Sequence, residues 1–274
     1  MSGKDRIYRN PGEQLGDFAF DREVAAVFPD MIRRSVPAYE ALVPLTGLLA
    51  ARHLAGARLS PILKAGDSGS RAGTAAPKRG SDHRDQQGAT MGGGLVFDLG
   101  CSLGASTLAL LRQLGDRPCR IVAVDKSKPM LDRAVALVND DRVEFRLEDL
   151  RETDVSGADV ILMNYVLQFI RPAERPALVQ RFREQMTPGG LLVVSEKIRF
   201  AAAQDGAFFD AAHLAFKRAN GYSELEVSGK RTALEKVMIV DTEEAHLARL
   251  KSAGFTPVKT WFRCLNWASF LAWS

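Results

Sequence analysis

The chain has little cysteine, and none of it is arranged like a metal site or a disulfide framework. Cys101, Cys119 and Cys264 are its three cysteines in 274 residues, an odd number without ligand spacing. That pattern excludes a structural zinc cluster and fits a reducing compartment, so no metal is expected. Long apolar runs are also missing. The best candidate, 41–51, is flanked by Glu40 and Arg52 and falls short of the roughly 18 residues of a membrane span. The first twenty residues carry Lys4, Asp5, Arg6, Arg9, Glu13 and Asp17 and no apolar core of a secretory signal, so a soluble cytoplasmic protein is expected. Excess charge of one sign is scarce too. Of the net charge of +4, residues 57–93 hold +3 through six basic and three acidic side chains. The rest of the chain is then only +1, so bulk charge is poor evidence for a nucleic-acid face, and direct nucleic-acid binding is not expected.

What is present is ample apolar content, 46%, and an order of elements that suits an α/β domain. Residues 1–59 read as an N-terminal helical region. Asp21 opens one helix, Pro29-Asp30 begins a second that stops before Pro37, and 38–55 form a third with Tyr39 at its start. Residues 60–93 are Gly, Ser, Ala and charge without periodicity, and are expected to be a disordered insertion. A domain of residues 94–274 follows.

That domain is organised around Leu95 to Ser106, where a short apolar strand passes through Gly100 and Gly104 into a helix. Glycines there permit a tight bend and close approach of a ligand, and the helix amino end favours anionic or acceptor groups. A second strand ends at Asp125, roughly 20 residues on, where a carboxylate in a βαβ unit meets ribose hydroxyls. A nicotinamide or flavin site would need a glycine where Ser102 stands, and no Gly-Lys-Ser/Thr phosphate loop exists. The Asp98-Leu99-Gly100 turn with its distal acid resembles class I S-adenosylmethionine-dependent enzymes.

Further along, residues 105–114 and 129–138 read as helices and 143–147 as a strand followed directly by Asp149, placed to accept from an adenine amino group. Residues 160–163 are a fully apolar central strand ending at Asn164. No diproline follows Asn164, which tells against methylation of base amino groups. A helix over 172–186, a strand over 191–195, a helical insertion over 201–237, a helix capped by Asp241 with Glu244, and strands over 256–263 and 267–273 complete the pattern. The expected fold is doubly wound and Rossmann-like: a seven-stranded, mostly parallel sheet with an antiparallel last strand.

Several stretches resemble the carboxy-S-adenosyl-L-methionine synthase family. They are Phe20-Asp21, residues 27–32 with 34–37 and Tyr39, residues 98–104, Leu167-Gln168-Phe169, Ser195-Glu196-Lys197, residues 216–223, Lys230-Arg231 and Leu234-Glu235. The resemblance implies a homodimer that turns S-adenosylmethionine, as a substrate, and prephenate into carboxy-S-adenosylmethionine and phenylpyruvate. The product would serve a tRNA carboxymethyltransferase acting on wobble uridine. Carried over by position, the ligand contacts fall at Tyr39, Gly100, Cys101, Ser102, Asp125, Lys126, Asp149, Leu150, Asn164 and Arg231. Lys126 replaces the uncharged polar residue usual beside the ribose acid, and the 60–93 insertion has no counterpart. Arg231 is the implied catalytic residue, because a new carboxylate beside the sulfur calls for a guanidinium fork. The rival readings are an ordinary methyltransferase acting on a small molecule or tRNA, and a module that only holds the ligand.

Overall fold

In the computed structural model the described residues are 3–8, 18–56, 93–235 and 237–274. The expected disordered insertion of residues 60–93 therefore lies almost wholly outside the described residues.

The sheet is built from β1 (Gly94–Leu99), β2 (Cys119–Asp125), β3 (Val143–Leu147), β4 (Val160–Asn164), β5 (Leu191–Arg199), β7 (Val258–Cys264) and β8 (Trp267–Trp273), in the order β3-β2-β1-β4-β5-β8-β7. The first five strands are mutually parallel, and β8 runs antiparallel between β5 and β7. An eighth, two-residue strand, β6 (Asp241–Thr242), pairs with the extended end of β5. That end runs four residues past the expected stop at Ser195 because β6 and β8 both supply hydrogen-bonding partners there.

Alternation along the strands sends successive side chains to opposite faces. Phe97, Val122, Ile161, Met163, Leu192 and Val194 face one layer, with Val179 and Phe182 of α5 (Arg175–Gln185) and Leu250 of α8 (Glu243–Ser252). Val96, Ile121, Val160, Leu162 and Val193 face the other, with Ala50 and Ala51 of α2 (Tyr39–Leu54) and Leu110 and Leu114 of α3 (Ala105–Leu114). The order reverses between β1 and β4, so a crevice opens at their carboxyl ends, where ligands bind in open α/β sheets.

Two expectations are corrected. Pro29 does not separate two helices: α1 runs unbroken over Arg22–Ser35, capped by Asp21, whose side chain accepts from the Val24 amide. Val24 and Ala25 on one side of Pro29 and Met31 on the other share one apolar cluster with Leu103 and with Met130 of α4 (Lys128–Leu137), and this packing overrides the lost backbone hydrogen bond. Asp241 does not cap α8. Thr242 does, accepting from Ala245 N at 3.2 Å, while Asp241 is the counter-ion of the fully buried Arg175, 2.6 Å away, and of Arg249. A buried guanidinium needs a paired anion, and that need outranks a cap.

Candidate functional site

The carboxyl ends of β1, β2 and β4 open into a cavity of about 1200 Å³. It exceeds the roughly 300–1,000 Å³ of an ordinary small-molecule site. Its roof comes from α1, α2, α6 (Ala203–Ala219) and α7 (Glu224–Glu235). Of the ten residues expected to contact ligand, the structure brings nine into its wall: Tyr39, Gly100, Cys101, Ser102, Asp125, Lys126, Asp149, Leu150 and Asn164.

The turn after β1 is shaped by backbone geometry that few residues tolerate. Gly100 has φ +74°, and a Cβ there would lie 2.5 Å from Val166 Cγ2, so this position admits only glycine without rearrangement. Gly100 N and Cys101 N both donate to Val124 O, at 2.8 and 2.9 Å. The Asp125 carboxylate locks the turn from the other side: Oδ2 accepts from Ser102 N and Oδ1 from Ser127 N, each at 2.8 Å. Burial raises the carboxyl above its ordinary range, while these amides and neighbouring Lys126 pull it down. Asp98 is sealed behind the turn, bracing Thr107 through its amide and hydroxyl, and burial pushes its carboxyl up to about 6.

Asp149 is gripped by Arg151 through both carboxylate oxygens, at 3.0 and 2.6 Å, which holds it below the usual carboxylate range. It stays ionised and retains lone pairs for further donors. Asn164 donates to Ser106 Oγ at 3.0 Å, whereas its buried Oδ1 has no partner within the chain. An orphaned buried acceptor in a cavity wall is what a ligand donor would satisfy. With glycine opening the turn, Asp125 at the βαβ ribose position and this acceptor, the cradle fits an adenosyl ligand.

Arg231 is not among the wall residues. It is exposed on α7, and its neighbour Lys230 is the one that is 3 % exposed and lines the cavity. Consecutive helical residues point about 100° apart, and the rotation of α7 turns Lys230 toward the cavity. Lys197 and Lys217 line the same cavity, with His213, Tyr165 and Trp267. The sequence assigned none of these a role, although Lys197, Lys217 and Lys230 all lie in stretches that carry the family resemblance. Metal-ligating groups of three or more side chains are absent among the described residues, and no described helix is long and apolar enough to cross a membrane.

One support of the site is Glu196, fully buried beneath the turn that follows β4. Oε1 accepts from Val166 N and Leu167 N at 2.9 and 2.7 Å, and Oε2 from Gln168 N at 3.2 Å. Burial pushes its carboxyl up to about 8 against the pull of those amides. From the ordinary 4.5 to about 8 the folded chain keeps a proton that the unfolded chain has released, so stability falls as pH rises across this window. Glu196→Gln removes that slope and turns an NH₂ toward one of the three amides, leaving a buried donor unsatisfied at a cost of roughly 1–3 kcal/mol. Denaturant melts at the two ends of the window should show the variant less stable than wild type at the acid end, with the gap narrowing toward the alkaline end. Parallel behaviour at both ends would contradict this.

This fold and cradle define a class I S-adenosylmethionine-binding α/β protein, and the comparisons with known proteins agree. Residues 96–190 match the family described as "Methyltransferase domain". A putative O-methyltransferase from Nostoc punctiforme superposes with a TM-score of 0.50 at 16% identity, covering 66% of this chain and 52% of that one, which supports the fold. Sequence relatives are more specific. The carboxy-S-adenosyl-L-methionine synthase of Shewanella amazonensis is 42% identical over 273 residues, 98% of each chain. That of Aeromonas hydrophila is 41% identical over 276 residues, covering 99% of this chain and 96% of its own. The chain belongs to the carboxy-S-adenosyl-L-methionine synthase family.

Proposed function

We propose that the chain converts S-adenosylmethionine and prephenate into carboxy-S-adenosylmethionine, phenylpyruvate and water. The observation that carries this reading is a single cavity that joins an adenosyl cradle to a wall holding Lys197, Lys217 and Lys230. A methyl transfer to a neutral acceptor has no use for a wall lined with lysines. A dianionic co-substrate and a newly formed carboxylate do.

On this reading Asp125 accepts from the ribose hydroxyls, Asp149 and Leu150 border the adenine, and Gly100, Cys101, Ser102, Asn164 and Tyr39 hold the remainder of the sulfonium ligand. Lys126 contributes through its backbone amide. Loss of the ring carboxylate as CO₂ and of the ring hydroxyl as hydroxide makes prephenate aromatic. Hydroxide takes a proton from the sulfonium methyl, and that carbon forms its bond to CO₂. The protein's part is to hold both reactants in line, exclude water and offset negative charge, with no protein nucleophile and no metal.

The reading includes a cytoplasmic homodimer without direct nucleic-acid contact, whose product passes to a tRNA carboxymethyltransferase. It also keeps Arg231 as the partner of the new carboxylate. Mass spectrometry of a mixture of chain, S-adenosylmethionine and prephenate tests the reaction. A sulfonium product heavier by one CO₂ is expected. Release of S-adenosylhomocysteine with a methylated acceptor would favour the ordinary methyltransferase.

A further inference from the structure

Two of the lysines in the cavity wall differ in how their charge is met. Lys230 is already served: its ammonium lies 2.8 Å from Ser35 Oγ, 3.3 Å from Tyr222 Oη and 3.5 Å from Asp5 Oδ2, and Tyr222 itself donates to Asp5. This network ties the amino-terminal residues to α1 and α7, with Arg34 donating to Asp5 O at 3.2 Å and stacked 3.8 Å over the Tyr222 ring.

Lys217, in the last turn of α6, is 9 % exposed and lines the cavity. Among the described residues the charged groups that act on it are cations: Lys230, Lys197 and Arg231. Burial and that repulsion push it down to about 7, whereas Lys230 is pushed down to about 8 by burial, with Asp5 pulling the other way. The nearby His213 does not neutralise it. His213 is turned to Ser35 O at 2.8 Å, and burial next to the lysines pushes its imidazole down to about 3, so it is neutral. A buried ammonium facing only like charge is unfavourable in the empty cavity and becomes favourable when a ligand brings an anion.

We propose that Lys217 is the carboxylate receptor of the co-substrate site, binding a carboxylate of the second ligand and selecting for a dianion, while Lys230 is held by the Asp5–Tyr222 network. This rests on the carboxylating reading above and adds to it the residue that recognises the co-substrate. The placement fits that role. The adenosyl cradle lies at the strand ends, whereas Lys217 descends from the roof helix α6, so the two ligands approach from different walls of one cavity. Recognition of the co-substrate is thereby separable from recognition of S-adenosylmethionine.

The test uses the full chain and the variants Lys217→Met and Lys217→Arg, with titration calorimetry of S-adenosylmethionine alone, and of prephenate in the presence of unreactive S-adenosylhomocysteine. Lys217→Met should weaken prephenate by at least about tenfold, with a matching rise in KM. Its affinity for S-adenosylmethionine should stay within about twofold, because Lys217 is not one of the residues of the adenosyl cradle. Lys217→Arg should recover most of the prephenate affinity, since it restores the charge. Without ligand, Lys217→Met should melt no lower than wild type, because it removes a buried cation that has only cations around it.

Unchanged prephenate binding, equal losses for both ligands, or a lower melting temperature without ligand would each overturn the assignment. The carboxylating reading fails separately. If the wild type forms no carboxylated sulfonium but still binds prephenate through Lys217, the receptor stands and the reaction falls. If the wild type forms that product and Lys217→Met binds prephenate equally well, the reaction stands and the receptor falls.

Discussion

Asp125→Ala should weaken binding of S-adenosylmethionine more than any other single change in the cradle. The carboxylate has two duties there. It accepts from Ser102 N and Ser127 N, which fixes the turn that the ligand must approach, and on the proposed assignment it accepts from both ribose hydroxyls. Each lost hydrogen bond to a charged group is worth roughly 1.5–3 kcal/mol, and loosening the turn adds to that. Asp125→Asn keeps the shape but offers one acceptor oxygen, so it should fall between wild type and alanine. The core clusters on both sheet faces do not depend on Asp125, and the fold should persist. Calorimetry with unchanged ligand affinity in Asp125→Ala would remove the ribose assignment.

Arg231→Leu should separate the two sulfonium ligands. If the guanidinium is buried against the new carboxylate, the variant loses about 3–5 kcal/mol in binding carboxy-S-adenosylmethionine and much less in binding S-adenosylmethionine. The geometry of one chain alone, with Arg231 exposed on α7, would supply only the roughly 0.2–1 kcal/mol of an exposed pair. The larger value is expected, because the proposed function has Arg231 pair with the new carboxylate. Lysine at this position should rescue in part, since a point charge does not reproduce the planar fork. Equal losses for both ligands would remove Arg231 from carboxylate recognition.

The parts of the fold that were legible in the sequence are those written locally. The turn at Gly100, the acid ending β2, the apolar run of β4 and the helix over Ala105–Leu114 are each specified by adjacent residues, and the structure has them where the pattern put them. Features that depend on distant partners were not legible. Pro29 reads as a boundary until the packing of Met31 and Val24 against Leu103 and Met130 is known. Asp241 reads as a cap until Arg175, buried on α5, claims it. The site divides in the same way. The cradle comes from consecutive strand ends, whereas Lys197, Lys217 and Lys230 belong to β5, α6 and α7 and meet only because those elements fold over one cavity. Choosing Lys230 over Arg231 for the wall depends on the rotation of α7, and the pair itself does not encode that.

The central claim is that this cavity moves a carboxylate from the co-substrate to the sulfonium methyl. The most direct measurement supplies prephenate carrying a heavy-carbon label in its ring carboxyl, with unlabelled bicarbonate in the buffer, and follows the label by mass spectrometry. The label is expected in the carboxymethyl group of the sulfonium product, in step with release of phenylpyruvate. An unlabelled carboxymethyl group, or S-adenosylhomocysteine with a methylated acceptor as the outcome, would contradict it.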